Sequence, residues 1–421
     1  MPKYYISNYE PHTGQSEYHD SDELTRIIIA SIRSGKSYSV LHDIIIESWN
    51  NPSNLPVLIV TPTNAMTRDI MMKPLVELLI SMNLLEPKNY NKSEQLITLR
   101  NGNTIIGRSH EAAEKIRGLT IYAAYMDEVA MMNKNTYDIV MGRMITENSS
   151  NRMTLTGTPK GKQNWLYEYF FKNGNLKNTS YHRFHILQNP IISIEAYEAL
   201  KETYDELTAK QELEGLFVDL YESLVYRSYS NANLFTNNFN KDYQLYAGID
   251  WNVGINGCVI AIKINDVIYI IDEIYGCKDI TELGHEIIKR YGYDLIISSD
   301  AMGSQSHRQI LRNMGLNKIV ETKSNPRRVN RYNNVNSHLK NANGNIKLYI
   351  EKKCRYLVED LENLTFKNGT DIPDTRNEQY GHISDALGYL LEFISPFQGK
   401  DIIDGNKGKR KKLKDILKEI N

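Results

Sequence analysis

Cysteine is scarce in this 421-residue chain. There are three, Cys258, Cys277 and Cys354, too widely spaced for a Cys-rich zinc cluster and a poor basis for a disulfide framework. Long apolar runs are missing too: none approaches the roughly 18 residues of a membrane helix. The first residues carry no apolar signal core, so a cytosolic protein is expected. Neither sign of charge prevails, since 50 Lys and Arg face 51 Asp and Glu for a formal net charge of −1. No global basic field announces nucleic acid, and any such surface must be local. The remaining composition, 41% hydrophobic and 24% charged, is that of an ordinary globular protein. The length suits two or three domains.

The most informative stretch lies near the start. Ile27-Ile28-Ile29 reads as a buried parallel strand that runs through Ala30-Ser31-Ile32-Arg33 into Ser34-Gly35-Lys36-Ser37. Apolar residues at Val40, Leu41, Ile44 and Ile45 then recur at helical spacing. Strand, small polar loop, Gly-Lys-Ser and helix form the context of a phosphate-binding P-loop. Backbone amides at the helix start, with the positive end of its dipole, would cradle phosphate oxygens. Arg33, Ser34, Gly35, Lys36 and Ser37 are the expected nucleotide contacts. Lys36 would reach the β/γ-phosphates and Ser37 would hold Mg²⁺. Ala30 replaces the usual first glycine, which is tolerable only at negative φ.

Residues 1–24 form a polar lead-in of little periodicity. Leu55 to Thr61 is a second buried strand, a long amphipathic helix spans about Ala65 to Met82, and Asn101-Gly102 marks a tight hairpin. Tyr122 to Met126 is a short buried strand ending in Asp127-Glu128, a Walker B pattern. Asp127 would bind Mg²⁺ and Glu128 would polarise the attacking water. Met153 to Pro159 is another strand, with Thr156 and Thr158 at its exit as candidates to sense the γ-phosphate. Arg117, ten residues before Asp127, could act as an arginine finger or be a plain surface residue. Residues 228–242, rich in Asn, Ser and Tyr, read as an interdomain linker.

Beyond the linker the pattern changes. Tyr246 to Asp250, Gly257 to Ile262 and Val267 to Ile271 read as three antiparallel strands, the first carrying an acid. A helix from Ile280 to Tyr291 leads to Leu295–Ser299 and a second strand-end acid, Asp300. A helix beginning near His382 carries a third, Asp385, and His382 shares its face. Three carboxylates that converge suit hard ions such as Mg²⁺ or Mn²⁺. Two such ions could activate water and stabilise the leaving oxygen of a phosphodiester. His382 would ligate or manage a proton, whereas Asp272 and Glu273 read as turn residues. Lys323, Arg327, Arg328, Arg331 and Lys340 make a local basic run able to touch phosphates. A basic, flexible tail ends the chain.

Taken in order, Ser34-Gly35-Lys36-Ser37, Met126-Asp127-Glu128, Thr156-Gly157-Thr158-Pro159, Asp250, Asp300 and His382-x-x-Asp385 resemble the large terminase subunit of tailed double-stranded DNA bacteriophages. The resemblance implies an α/β chain: an additional-strand, RecA-like P-loop ATPase domain at 1–227, a linker at 228–244, and an RNase H-like endonuclease domain at 245–400, with the tail at 401–421. It implies ATP-driven translocation of double-stranded DNA into a procapsid and cutting by a two-metal endonuclease. It further implies ATP with Mg²⁺ in the first domain and Mg²⁺ or Mn²⁺ in the second. Expected partners are a small terminase subunit, the portal protein and further copies in a ring, commonly a pentamer, in the infected host's cytoplasm and not in the mature virion. Arg117 matches a family arginine proposed to act in trans. No glutamine-type adenine-contacting motif is evident before the P-loop.

Two other classes compete. A cellular repair or restriction helicase-nuclease would carry helicase motifs after a second RecA-like domain, and one ATP core is visible. A capsid-assembly protein with a decayed nuclease is disfavoured by the intact Asp250, Asp300 and Asp385.

Overall fold

A computed structural model describes residues 9–174, 177–220, 224–236, 243–251, 256–301, 304–321, 324–367, 370–374 and 380–397. Lys323, the 237–242 part of the expected linker and the basic tail lie outside the described residues. The chain divides into two compact units, 1–193 with 210–219, and 194–209 with 220–421.

The first unit is built on a sheet of β1 (Thr25–Ile29), β2 (Val57–Thr61), β3 (Tyr90–Asn91), β4 (Leu96–Thr98), β5 (Thr104–Ser109), β6 (Ala123–Met126), β7 (Met153–Gly157) and β8 (Thr179–His182). Their order is β3-β4-β5-β2-β6-β7-β1-β8. The strands from β5 to β8 in that order pair in parallel, and β3, β4 and β5 form the antiparallel edge around Asn101-Gly102. Parallel sheets are covered on both faces, so their strands are apolar on both sides. Accordingly Ile28, Val57, Ile59 and Tyr125 pack into one core layer, and Ile27, Ile29, Leu58, Val60 and Met126 into the other. The expected long helix after β2 is a continuous helical run from Asn64 to Ser81.

The second unit has a sheet of β9 (Leu234–Phe235), β10 (Leu245–Asp250), β11 (Asn256–Ile264), β12 (Val267–Cys277), β13 (Leu295–Ser299) and β14 (Leu348–Glu351). Its order is β13-β10-β11-β12-β14-β9. The expected run of three antiparallel strands is present as β10, β11 and β12, and β13 joins β10 in parallel. The helix His382–Ile394 covers one face with Ile383, Leu387, Leu390 and Leu391, while the helix Ile280–Tyr291 covers the other with Leu283 and Ile287.

Three local readings change. Asp272 and Glu273 lie within β12 and are not turn residues. Glu273 accepts from the Tyr356 and Leu357 amides at 2.9 and 2.8 Å, satisfying the start of the helix Arg355–Asn363. The basic run is largely a helix, Arg328–Leu339, with eight buried residues including Arg331, because its Val335 and Leu339 enter the core. Finally, the helix Ile194–Thr203 and residues 224–235 pack on the second unit. Ala342 N donates to Tyr204 O at 2.8 Å, Arg227 pairs with Asp205 at 2.9 Å, Val225 N donates to Leu364 O at 2.8 Å, and β9 pairs with β14.

Candidate functional sites

β1 delivers the P-loop. Ala30 keeps a negative φ, Arg33 takes a left-handed φ of 56° and Gly35 one of 86°. Gly35 caps the helix Lys36–Trp49, and a left-handed cap is where glycine is least strained. Arg33 is exposed, Ser34 is buried and Ser37 is half-buried in the helix's first turn. Lys36 is buried. Its Nζ lies 3.5 Å from Glu128 Oε1 and donates to Thr158 Oγ1 at 3.3 Å.

β7 stands between the P-loop strand and the Walker B strand β6, which places Thr156 beside Asp127. Thr156 Oγ1 donates to Asp127 Oδ1, and Thr158 N donates to Glu128 Oε2 at 3.4 Å. Burial, then the neighbouring Glu128 charge, pushes the Asp127 carboxyl up to about 6. Glu128 adopts a left-handed φ of 54°, an uncommon backbone for a glutamate. Lys36, Asp127, Glu128, Thr156 and Thr158 are thus one cluster. Arg117 stands apart from it: the side chain is exposed and its Nε donates to Glu114 at 2.8 Å.

Sequence reasoning missed two groups here. His12 and Gln15 open the helix Thr13–Asp20, where His12 Nε2 lies 2.9 Å from Ser34 O and Gln15 Nε2 donates to Gly35 O at 3.0 Å. The polar lead-in therefore grips the P-loop backbone. Its signal was a His-x-x-Gln capping box, in which the His12 amide donates back to Gln15 Oε1 at 3.1 Å. The second group is a buried ion pair on the P-loop helix. Arg26 from β1 meets both Asp43 oxygens, at 3.1 and 2.5 Å, and Tyr18 and Tyr125 donate to Asp43 Oδ2 at 3.0 and 2.7 Å. Burial opposes ionisation of Asp43, but the Arg26 guanidinium overrides it and holds the carboxyl well below the usual range. The network ties the P-loop helix to β1, to the lead-in helix and to the strand that ends at Asp127.

In the second unit, β10 ends on Asp250 and Asp300 follows its parallel neighbour β13, so both acids emerge at one sheet end. Asp385 lies in the first turn of the helix His382–Ile394. That helix approaches β10 closely because Gly248 has no side chain: a Cβ there would lie 2.3 Å from Ala386 O. Asp360 anchors the helix start by accepting from the Gly381 and Ser384 amides, both at 3.0 Å. Each acid has a protein donor. His382 Nδ1 lies 3.3 Å from Asp250 Oδ2, Asn325 Nδ2 donates to Asp300 Oδ1 at 2.5 Å, and Arg331 Nη2 donates to Asp385 Oδ1 at 2.6 Å.

Burial raises the Asp250 carboxyl, with a smaller push from Asp300. Burial also takes Asp385 up to about 6 against the pull of Arg331, and Asp250 adds to the rise. The hydrogen bond to Asp250 raises the His382 imidazole. The three acids thus share one electrostatic neighbourhood. Among the described residues, however, no three His, Cys, Asp or Glu side chains are grouped to share an ion, each acid being turned to its own donor. By its chemistry, the donor set of three carboxylates still fits a hard divalent cation. Of the expected phosphate-contacting residues, Arg327, Arg328 and Lys340 are exposed, while Arg331 is not.

An α/β chain with an additional-strand P-loop domain followed by a domain of RNase H-like fold is the class that this fold defines. Residues 22–214 match the family described as phage terminase large subunit. Over nearly the full chain, the fold is similar to the large terminase from a thermophilic bacteriophage, with a TM-score of 0.63 and 18% identity, covering 91% of this chain and 99% of that one. The same bacteriophage protein in complex with ADP gives a TM-score of 0.62 at 18% identity over 90% of this chain and 98% of that one. In complex with ATP-gamma-S, the values are 0.61 and 18% over 90% and 98%. Among curated proteins none matches the chain. The resemblance to phage large terminase subunits, first read from the motifs, is borne out.

Proposed function

We propose that the chain is the motor and nuclease subunit of a phage DNA-packaging machine, hydrolysing ATP to move double-stranded DNA into a procapsid and cutting it. The observation that carries the reading is the clasp of Lys36 by Glu128 and Thr158, next to Asp127. These groups are those that phosphoryl transfer needs: a cation for the β/γ-phosphates, a carboxylate for water and a hydroxyl that can sense the transferred group. The nucleotide complexes of the thermophilic bacteriophage relative support nucleotide use.

In this reading Lys36 leaves Glu128 for the incoming phosphates, and Glu128 then orients the attacking water. Thr156, hydrogen-bonded to Asp127, links the Walker B acid to β7, so a change at the phosphates is felt by the strand between the two motifs. Ser37 and Asp127 would hold Mg²⁺. In the second unit Asp250, Asp300 and Asp385 would hold Mg²⁺ or Mn²⁺, and His382, with Nδ1 donating to Asp250, would take a proton at Nε2. Bound ions supply Lewis-acid stabilisation of charge on phosphoryl and phosphodiester oxygens. Arg117, exposed and ion-paired among the described residues only to the exposed Glu114, would exchange that partner for a neighbouring subunit's nucleotide, which fits work as a ring with a portal and a small subunit.

Two substitutions test the reading. Lys36→Ala should abolish ATP hydrolysis and packaging while plasmid cleavage persists, and Asp300→Ala should do the reverse for cleavage. Undiminished cleavage by Asp300→Ala removes the nuclease assignment.

A further inference from the structure

Arg331 sits in an unexpected place. It is 3% exposed and reaches the acidic centre from the helix Arg328–Leu339. Its Nη2 donates to Asp385 Oδ1 at 2.6 Å, and its guanidinium lies 4.5 Å from the centre of the Tyr389 ring. The aliphatic stem is seated on Gly388, where an added Cβ would fall 2.4 Å from Arg331 Cγ. Tyr389 and Gly388 belong to the same helix as Asp385. The side chain is therefore packed along its whole length, and the guanidinium cannot leave without taking the ion-pair partner from the half-buried Asp385 carboxylate.

We propose that Arg331 stands in the place of a second divalent cation, so that this centre takes one metal ion. The inference rests on the nuclease reading above and narrows it. Three carboxylates against one permanent guanidinium leave two negative charges, which one divalent ion neutralises. Arginine stays protonated at any working pH, so this charge is fixed. Asp250 and Asp300, on the adjacent strands β10 and β13, are left to ligate the ion. Asp385 serves chiefly to hold Arg331, and Arg331 is a positioning residue that neutralises the far side of the centre.

The test is Mn²⁺ binding to the full-length, nucleotide-free chain, followed by electron paramagnetic resonance and by equilibrium titration. The expected result is one ion that is lost in Asp250→Asn and in Asp300→Asn, with no magnetic coupling between two Mn²⁺ ions. Asp385→Asn should change the affinity several-fold less than either of those substitutions. Arg331→Met, similar in length and uncharged, should admit a second ion or tighten the first by about tenfold, the scale on which outer-shell groups act. Should Arg331→Met fail to fold, the wild-type stoichiometry and the Asp385→Asn comparison still decide. Two coupled ions in the wild type, or an Asp385→Asn loss as large as that of Asp250→Asn, overturns the inference and leaves the nuclease reading standing. No ion that depends on Asp250 or Asp300 overturns both.

Discussion

Lys36 Nζ lies 3.5 Å from Glu128 Oε1, so the P-loop cation and the Walker B glutamate neutralise each other across the ends of neighbouring elements. Both side chains are largely shielded from solvent, and each holds the other in reserve. Removing Lys36 deletes the phosphate contact and leaves Glu128 without its cation. Lys36→Ala is expected to lower ATP turnover by at least about 10²-fold, the scale of losing one preorganised charge-stabilising donor. Phosphate release measured on purified protein checks this, with plasmid cleavage as the internal control.

The Arg26–Asp43 pair is buried and braced by the Tyr18 and Tyr125 hydroxyls. Breaking one side of a buried ion pair strands the other charge, so Asp43→Ala should destabilise the first unit by about 3–5 kcal/mol. Joint replacement, Arg26→Met with Asp43→Leu, should recover a large part of that loss. Denaturant unfolding of the three proteins checks both statements.

Protonation acts in opposite senses on two acids of that unit. Asp43 has a depressed folded value, so its contribution is present above the ordinary carboxylate range and is lost as pH falls through that depressed value. Asp127 is raised to about 6, so its contribution is full below the ordinary range and is lost as pH rises through about 6. The nucleotide-free protein should therefore shed stability between about pH 4 and 7 on account of Asp127. Asp127→Asn should flatten that part of the Tm profile, and thermal melts across the range will show it.

Gly248 permits the contact between β10 and the helix His382–Ile394. Gly248→Ala would drive a methyl group into the Ala386 carbonyl, where backbone cannot easily yield. A loss of about 1–3 kcal/mol from the second unit is expected, typical of overpacking. Plasmid cleavage should fall because Asp385 moves away from Asp250, while ATP hydrolysis remains near the wild-type rate.

A fragment beginning at 245 lacks residues that the second unit uses. Asn233 Nδ2 donates to the Leu339 and Leu348 carbonyls at 2.9 and 3.1 Å, Asn336 Nδ2 donates to Val225 O at 2.8 Å, and Val225 and Tyr226 are core residues. The fragment 194–421 should melt cooperatively at a higher temperature than 245–421. Near-ultraviolet circular dichroism and calorimetry of the two fragments decide this, and equal melting would mean that the preceding residues add nothing.

Local pattern determined a good deal here. Strands read as apolar runs, loops as small polar residues and helices as spaced apolar positions, so Lys36, Asp127, Thr156, Asp250, Asp300 and Asp385 could each be placed on an element's end from their near neighbours in the chain. The P-loop and the order of the acids were legible for that reason. Tertiary structure alone decided the rest. Whether Arg331 faces solvent or Asp385 depends on Gly388, far along the chain, and whether the lead-in grips the P-loop depends on His12 and Gln15 meeting the carbonyls of Ser34 and Gly35. The same holds for Glu273, which looks like a turn acid until the helix Arg355–Asn363 arrives to use it. A side chain's charge is written in the sequence, but its partner is set by which distant segments the packing brings within hydrogen-bond range. At the outset Ser34-Gly35-Lys36-Ser37 read as a loop waiting for phosphate. In the folded chain Lys36 is already engaged, by a glutamate and a threonine from two other elements.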